Sequence, residues 1–217
     1  MFVDLSLPIE DGMPTLPGFL PEARIGAILD HDSSRDRYQG KAEFYLGKVD
    51  MPGNTGTYID SPFHRHRDRE DLSGLELDRI AGVPGIVVDA PAEARPIDIE
   101  LTVEAVRGRA VLIRTGWDGR WPGDAYFEPD PVLSPSTLDL LIEAPATIVG
   151  VDFNNVDDTS DPARPAHTRL LGAGIPIVEH LRGLDALPTD GFRFFAVAPA
   201  IVGGASFTVR AFAEVGG

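Results

Sequence analysis

The sequence predicts an α/β fold on a mixed sheet. Three observations carry this: short apolar runs recur along the chain, helical segments fall between some of them, and the runs outnumber the helices. Residues 85–89 and 110–114 are short apolar runs of strand length, closed by Asp89 and Arg114, and read as buried strands. Residues 146–152 and 175–179 repeat the pattern, and residues 194–198 and 207–212 read as a pair of strands near the C-terminus. Thr102 is placed to cap a short helix over 102–108. Ser134 caps a longer one over 135–144, with Pro135 at the first helical position and Leu138, Leu141 and Ile142 at helical spacing. Strands outnumbering helices favour a mixed sheet over a doubly wound parallel one. Residues 20–50 and 118–132 read as loops or excursions. No stretch is long or polar enough to mark a linker, so residues 1–217 read as one domain.

Composition narrows function before any motif does. The chain of 217 residues carries 19 Lys and Arg against 34 Asp and Glu, a formal charge of −15. Nucleic acid binding needs a basic surplus that releases counterions, and an anionic membrane surface needs the same sign of charge. Neither partner fits. No window approaches the roughly 18 apolar residues of a membrane span. The start Met1-Phe2-Val3-Asp4 puts an acid where a secretory signal needs a basic residue. These features read as a soluble, cytoplasmic globular protein. Cysteine is absent, which removes disulfides, thiolate metal sites and cysteine nucleophiles.

Several standard motifs fail. Gly204-Ala205-Ser206-Phe207-Thr208 lacks the last glycine of a nucleophile elbow. Asp152 to Asp157 starts like a calcium loop but has no glycine at its sixth position and no spaced glutamate. Residues 152–161 therefore read as an acidic surface loop. Trp117, Trp121, Tyr126 and Phe127 form an aromatic stretch that packing explains as well as a pocket wall does.

The segment from Asn54 to His66 carries the chemistry. Thr57, Tyr58 and Ile59 favour a strand that Pro62 stops. A period of two puts Asn54, Gly56, Tyr58 and Asp60 on one polar face, with His64 within a turn beyond it. Asp60 and His64 are the candidates for a site; Arg65, His66 and Arg67 read as solvated charges. A second constellation runs from His167, at the start of a helical turn, to Glu179, at the end of a buried strand. Imidazole with carboxylate suits zinc or manganese, although His167 could also cap its turn and Glu179 could pair with Arg182.

These residues resemble a family, the metal-dependent cyclase-like hydrolases that include bacterial kynurenine formamidase and isatin hydrolase. Their signature H-x-G-T-H-x-D-x-P-x-H stands here as Asn54-x-Gly56-Thr57-Tyr58-x-Asp60-x-Pro62-x-His64. The opening Val3-Asp4-Leu5-Ser6, the segment Leu112 to Trp117, and Val149 to Asp152, His167 and Glu179 follow in the family's order. The resemblance implies a swivelling β/β/α fold and a homo-oligomer, dimer or tetramer. It implies hydrolysis of an amide or cyclic amide by metal-activated water, in the setting of tryptophan catabolism. Asp60, His167 and Glu179 match metal-ligand positions, and His64 matches the base. Asn54 and Tyr58 replace two ligand histidines, so the metal complement is expected to fall to one zinc or manganese ion or to none, with Asn54 left to touch substrate. Two alternatives stay open on the same fold: a metal-independent cyclase, dehydratase or lactone hydrolase using Tyr58 and His64 as catalytic pair, and a non-catalytic small-molecule binder.

Overall fold

The computed structural model describes residues 1–91, 93–128 and 131–216. The strands in chain order are β1 (Phe2–Asp4), β2 (Arg24–Leu29), β3 (Leu46–Asp50), β4 (Tyr58–Asp60), β5 (Ala81–Asp89), β6 (Ala110–Arg114), β7 (Ile148–Val151), β8 (Ile177–Glu179), β9 (Asp190–Phe195), β10 (Ser206–Thr208) and β11 (Phe212–Val215). The helices are α1 (His31–Arg37), α2 (Leu77–Ile80), α3 (Val103–Val106), α4 (Pro135–Glu143) and α5 (Pro165–Gly172). Nine strands make one sheet in the order β1-β11-β9-β5-β6-β7-β8-β4-β10. Its centre, β5 to β8, is parallel, and every strand added on either side is antiparallel. The mixed α/β sheet expected from the sequence is the observed one.

The central strands are apolar up to their last residues, Asp89, Arg114 and Glu179 among them, because both faces are covered. Ile86, Val88, Val111, Ile113, Val149 and Ile177 face one core, under α4 and α5. Their neighbours Val87, Leu112, Ile148 and Val178 face a second core, closed by Leu5, Ile59, Phe192 and Phe194. The helix signals hold: Thr102 Oγ1 accepts from the Ala105 amide and Ser134 Oγ from the Thr137 amide. The aromatic stretch packs on itself, with Trp121 edge-on to Tyr126 and Phe127.

Three expectations need correction. Residues 194–198 and 207–212 are not a pair: β9 pairs with β11, which starts at Phe212, while Ser206–Thr208 crosses to the other end of the sheet and pairs with β4. Residues 20–50 are not merely a loop, since β2 and β3 form a separate two-stranded ribbon carrying exposed Ile28, Phe44, Tyr45, Leu46 and Val49. Residues 152–161 are not a surface loop at their start, because Asp152, Phe153, Val156 and Asp157 are buried. The acids there serve as internal acceptors, a role that composition alone does not separate from solvation. Within 118–132, Pro129 and Asp130 lie outside the described residues.

Asp152 shows what that burial does. Its carboxylate accepts from the Thr115 amide (2.8 Å), the Thr115 hydroxyl (2.6 Å) and the Gly116 amide (2.7 Å). Burial nevertheless pushes the carboxyl up to about 6, against the pull of those donors. A raised folded-state value means the native state holds the proton more tightly than the unfolded chain. This contribution to stability is therefore complete below about pH 4 and is lost as pH rises through 6. Wild type should lose about 1.5 kcal/mol of unfolding free energy between pH 5 and 8 that Asp152→Asn does not lose, measured by urea melts at both pH values.

Candidate active site

The site is assembled by strand register. β4 lies between β8 and β10, and Tyr58 stands opposite Glu179 while Asp60 stands opposite Ser206. Directly opposed residues present their side chains on the same face. Ile59, between them, points into the second core. The strand is shorter than the sequence suggested: Asn54 to Thr57 form a turn, entered through two glycines. A Cβ on Gly53 would sit 2.3 Å from the Ser206 carbonyl oxygen, and Gly56 has φ +65°, so this turn can press against β10 only with glycine there.

Beyond Pro62 the chain enters a single 3-10 turn, Pro62–His64, which returns His64 toward the strand it left. The Ser206 hydroxyl donates to Asp60 Oδ1, and its oxygen lies 3.0 Å from His64 Nδ1. The hydroxyl proton is committed to the carboxylate, so Oγ can only accept from the imidazole. In a neutral His64 ring this contact places the proton on Nδ1 and makes Nε2 the acceptor.

His167 sits in the first turn of α5. Asp157 fixes it: one carboxylate oxygen accepts from the Ala166 amide (2.7 Å), the other from the His167 amide (3.0 Å) and from His167 Nδ1 (2.7 Å). The ring's other nitrogen, Nε2, then faces Asp60 Oδ2 at 3.6 Å and Glu179 Oε1 at 3.8 Å. A carboxylate on one imidazole nitrogen orients the other toward a cation in many metal sites. Asp157→Asn should weaken cation binding about 10- to 100-fold and lower stability by about 1–3 kcal/mol. Metal titration and urea melts check both, and unchanged affinity would show that the ring does not depend on this carboxylate.

The acids that would attract a cation also attract a proton, which metal binding would displace from the ring. Burial opposes charge on His167, yet Asp157, Asp60 and Glu179 outweigh it and raise the imidazole to about 10. Burial also opposes ionisation of Asp60, but the His167 and His64 rings and the Ser206 hydroxyl hold its carboxyl below the usual range. Glu179 is pushed up to about 7 by burial and by Asp60, although His167 and the Tyr58 hydroxyl stabilise its charge. Asp60 Oδ2 is buried with no hydrogen-bond partner. A buried carboxylate oxygen left bare costs free energy, so the donor set fits a bound cation at this point. Among the described residues, Asp60, His64 and His167 each offer a ligand atom within 4.8 Å of one another. The geometry thus gathers Asp60, His64 and His167, with Glu179 Oε1 beside the same His167 nitrogen that faces Asp60.

Tyr58 donates its hydroxyl proton to Glu179 Oε2. Burial, followed by the charges of Glu179 and Asp60, drives the phenol well above its ordinary value, so it stays protonated. Each Glu179 oxygen thus accepts one hydrogen bond, Oε1 from the Val156 amide at 2.8 Å, which leaves a lone pair on each; among the described residues no ion pair joins it to Arg182. Asn54 lines the same cavity of about 280 Å³, as do Tyr58, His64, His167 and His180. Arg65 and Arg67 are exposed, as read, while His66 is half-buried; Arg65 Nε donates to Thr168 Oγ1 and His66 Nε2 lies 2.9 Å from the Thr168 carbonyl oxygen, so both brace α5.

Sequence reasoning missed Asp157, Ser206, Arg164 and His180. Ser206 drew notice only as part of a failed nucleophile elbow. His180 is buried at φ +60°, and burial pushes its imidazole down to about 4, so it is neutral. Its Nδ1 lies 2.9 Å from the Tyr126 hydroxyl.

Comparison with known proteins places these features in a lineage. The Cyclase family model matches residues 3–158. The kynurenine formamidase of Salinibacter ruber is 32% identical over 177 residues, 81% of this chain and 82% of its own length. That of Geobacillus thermodenitrificans is 27% identical over 214 residues, 97% of this chain and 95% of its own. Isatin hydrolase A from Labrenzia aggregata, solved with benzyl benzoate bound, superposes with a TM-score of 0.82 at 25% identity, covering 99% of this chain and 93% of that one.

Proposed function

The chain belongs to the Cyclase family, and from that membership we propose that it hydrolyses an amide or cyclic amide of a small molecule, using one divalent cation and His64 as general base. The observation that carries the reading is the His167 ring, tied by Asp157 on one side and aimed at Asp60 and Glu179 on the other. Asp60, His167 and Glu179 would hold the cation, and one nitrogen with carboxylate oxygens suits zinc or manganese. When bound, the cation supplies Lewis-acid polarisation of the carbonyl and a lowered pKa for water.

The protein's own groups do the rest. His64 Nε2, freed by the Ser206 contact, takes a proton from the attacking water and returns it to the departing nitrogen as the C–N bond breaks. Asp60 Oδ1 holds Ser206 in the orientation that keeps this tautomer. Tyr58 retains its proton and anchors Glu179, so it serves the site as a fixed donor instead of titrating. Asn54 faces the substrate from the cavity wall. Among the described residues no helix is long and apolar enough to cross a membrane. The apolar residues on the β2–β3 ribbon support a homo-oligomeric working form.

The name borne by the curated relatives directs the test to an N-formyl arylamine. Purified protein reloaded with zinc or manganese should bind about one equivalent of metal and release formate from formanilide, and chelation should stop it. Under about a tenth of an equivalent bound, together with no formate, would refute the reading.

A further inference from the structure

We propose that Arg164 forms an anion subsite in the cavity and selects amides whose apolar body carries a carboxylate. The inference takes its assay from the amide-hydrolase reading above. Arg164 lines the cavity beside His64 and His167, and it is the one Lys or Arg among the described lining residues.

The guanidinium is underused by the protein. Of its five N–H donors, Nη2 reaches Asn155 Oδ1 at 2.8 Å, and Nε is buried without a hydrogen-bond partner. The nearest carboxylate oxygen, Asp157 Oδ2, is 3.7 Å from Nε, beyond hydrogen-bonding reach. That oxygen already accepts from His167 N and Nδ1. By contrast Arg95, on the neighbouring cavity of about 560 Å³, is engaged by Asp158 at 3.0 Å.

Backbone geometry adds an independent reason. Arg164 has φ 45° and ψ 63°, immediately before Pro165. Glycine or asparagine meets that left-handed conformation with less strain. A long cationic side chain kept in a strained position beside a cavity points to a job for the side chain.

Charge defines the ligand. Asp60, Asp157 and Glu179 surround the reaction point, and the chain as a whole is at −15. A carboxylate entering this field needs a local cation, and the planar guanidinium fork matches a carboxylate bidentately. Leu16, Phe19 and Leu20 line the same cavity and offer an apolar wall for the rest of the molecule.

The test pairs 4-formamidobenzoate with neutral formanilide. Arg164→Gln should raise KM for the anionic substrate about ten-fold or more and leave kcat/KM for formanilide within about two-fold, with Arg164→Lys intermediate. Arg164→Gly removes the charge while relaxing the backbone, so loss of fold through strain cannot mimic the effect. Equal losses on both substrates, or an unchanged KM for the anionic one, would overturn the proposal. Calorimetry with 4-aminobenzoate, and aniline as neutral control, separates the subsite from the chemistry. Should wild type cleave neither formamide, saturable binding of 4-aminobenzoate that Arg164→Gln and Arg164→Gly both abolish keeps the subsite while the hydrolase reading falls. Absence of binding to wild type, or equal binding to the variants, rejects the subsite.

Discussion

Asp60→Asn is expected to lower kcat/KM on an N-formyl arylamine by roughly 10³-fold or more, because several kcal/mol of charge stabilisation leave with the cation. Asparagine keeps the shape of the side chain and can still accept from Ser206. It removes the negative charge and replaces one carboxylate oxygen by an NH₂ group. Asp60 Oδ2, now bare and 3.6 Å from His167 Nε2, is the atom that the change spoils. Elemental analysis after metal reloading should show bound cation falling to less than about a tenth of an equivalent, while circular dichroism and thermal melting stay near wild type. A variant that keeps its metal would remove Asp60 from the ligand set.

The second large effect belongs to His64. Glutamine there should cost about 10² to 10⁴ in kcat, the usual worth of a positioned general base, with metal content unchanged. This combination separates two roles that the geometry brings close together. His64 lies within 4.8 Å of the ligand atoms of Asp60 and His167, so a coordinating His64 is the competing arrangement. Loss of metal alongside activity would make His64 a ligand. Loss of activity with metal retained makes it the proton carrier. Ser206→Ala supplies a graded check, because it removes the hydroxyl that fixes the tautomer but leaves the ring in place.

Much of the fold was legible because the central strands are covered on both faces, and double burial writes itself as unbroken apolar runs. The helix caps were legible for a local reason: Ser134 and Thr102 each act on an amide three residues away. The strand pairing at the C-terminus was not, since Ser206 to Thr208 and Phe212 to Val215 sit close in sequence yet join opposite ends of the sheet. The family signature placed Asp60 and His64, and the spacing to His167 and Glu179 followed. Asp157 was hidden among 34 acids because nothing local distinguishes a carboxylate that binds a buried imidazole from one that binds water. Ser206 was hidden for another reason: its contacts span 142 and 146 residues. Arg164 has a local signal, an arginine directly before proline, but the signal has meaning only once its backbone angles are known.

The cross-strand pairing of Tyr58 with Glu179 and Asp60 with Ser206 also sets how this site can change over time. Side chains on a strand alternate between faces, so the constellation depends on parity. Substitutions at positions 54 and 58 alter the chemistry and leave every other member in place. Insertion of one residue between Tyr58 and Ile59 would act like a frameshift in space. Asp60 would turn into the apolar core that Ile59 now fills, and a hydrocarbon would face His167. An insertion of two would restore the face but offset Asp60 from Ser206. Lineages of this protein should therefore be free to exchange side chains in β4 while its length stays fixed, and new specificities should enter by replacement there and by lengthening only in the loops around it.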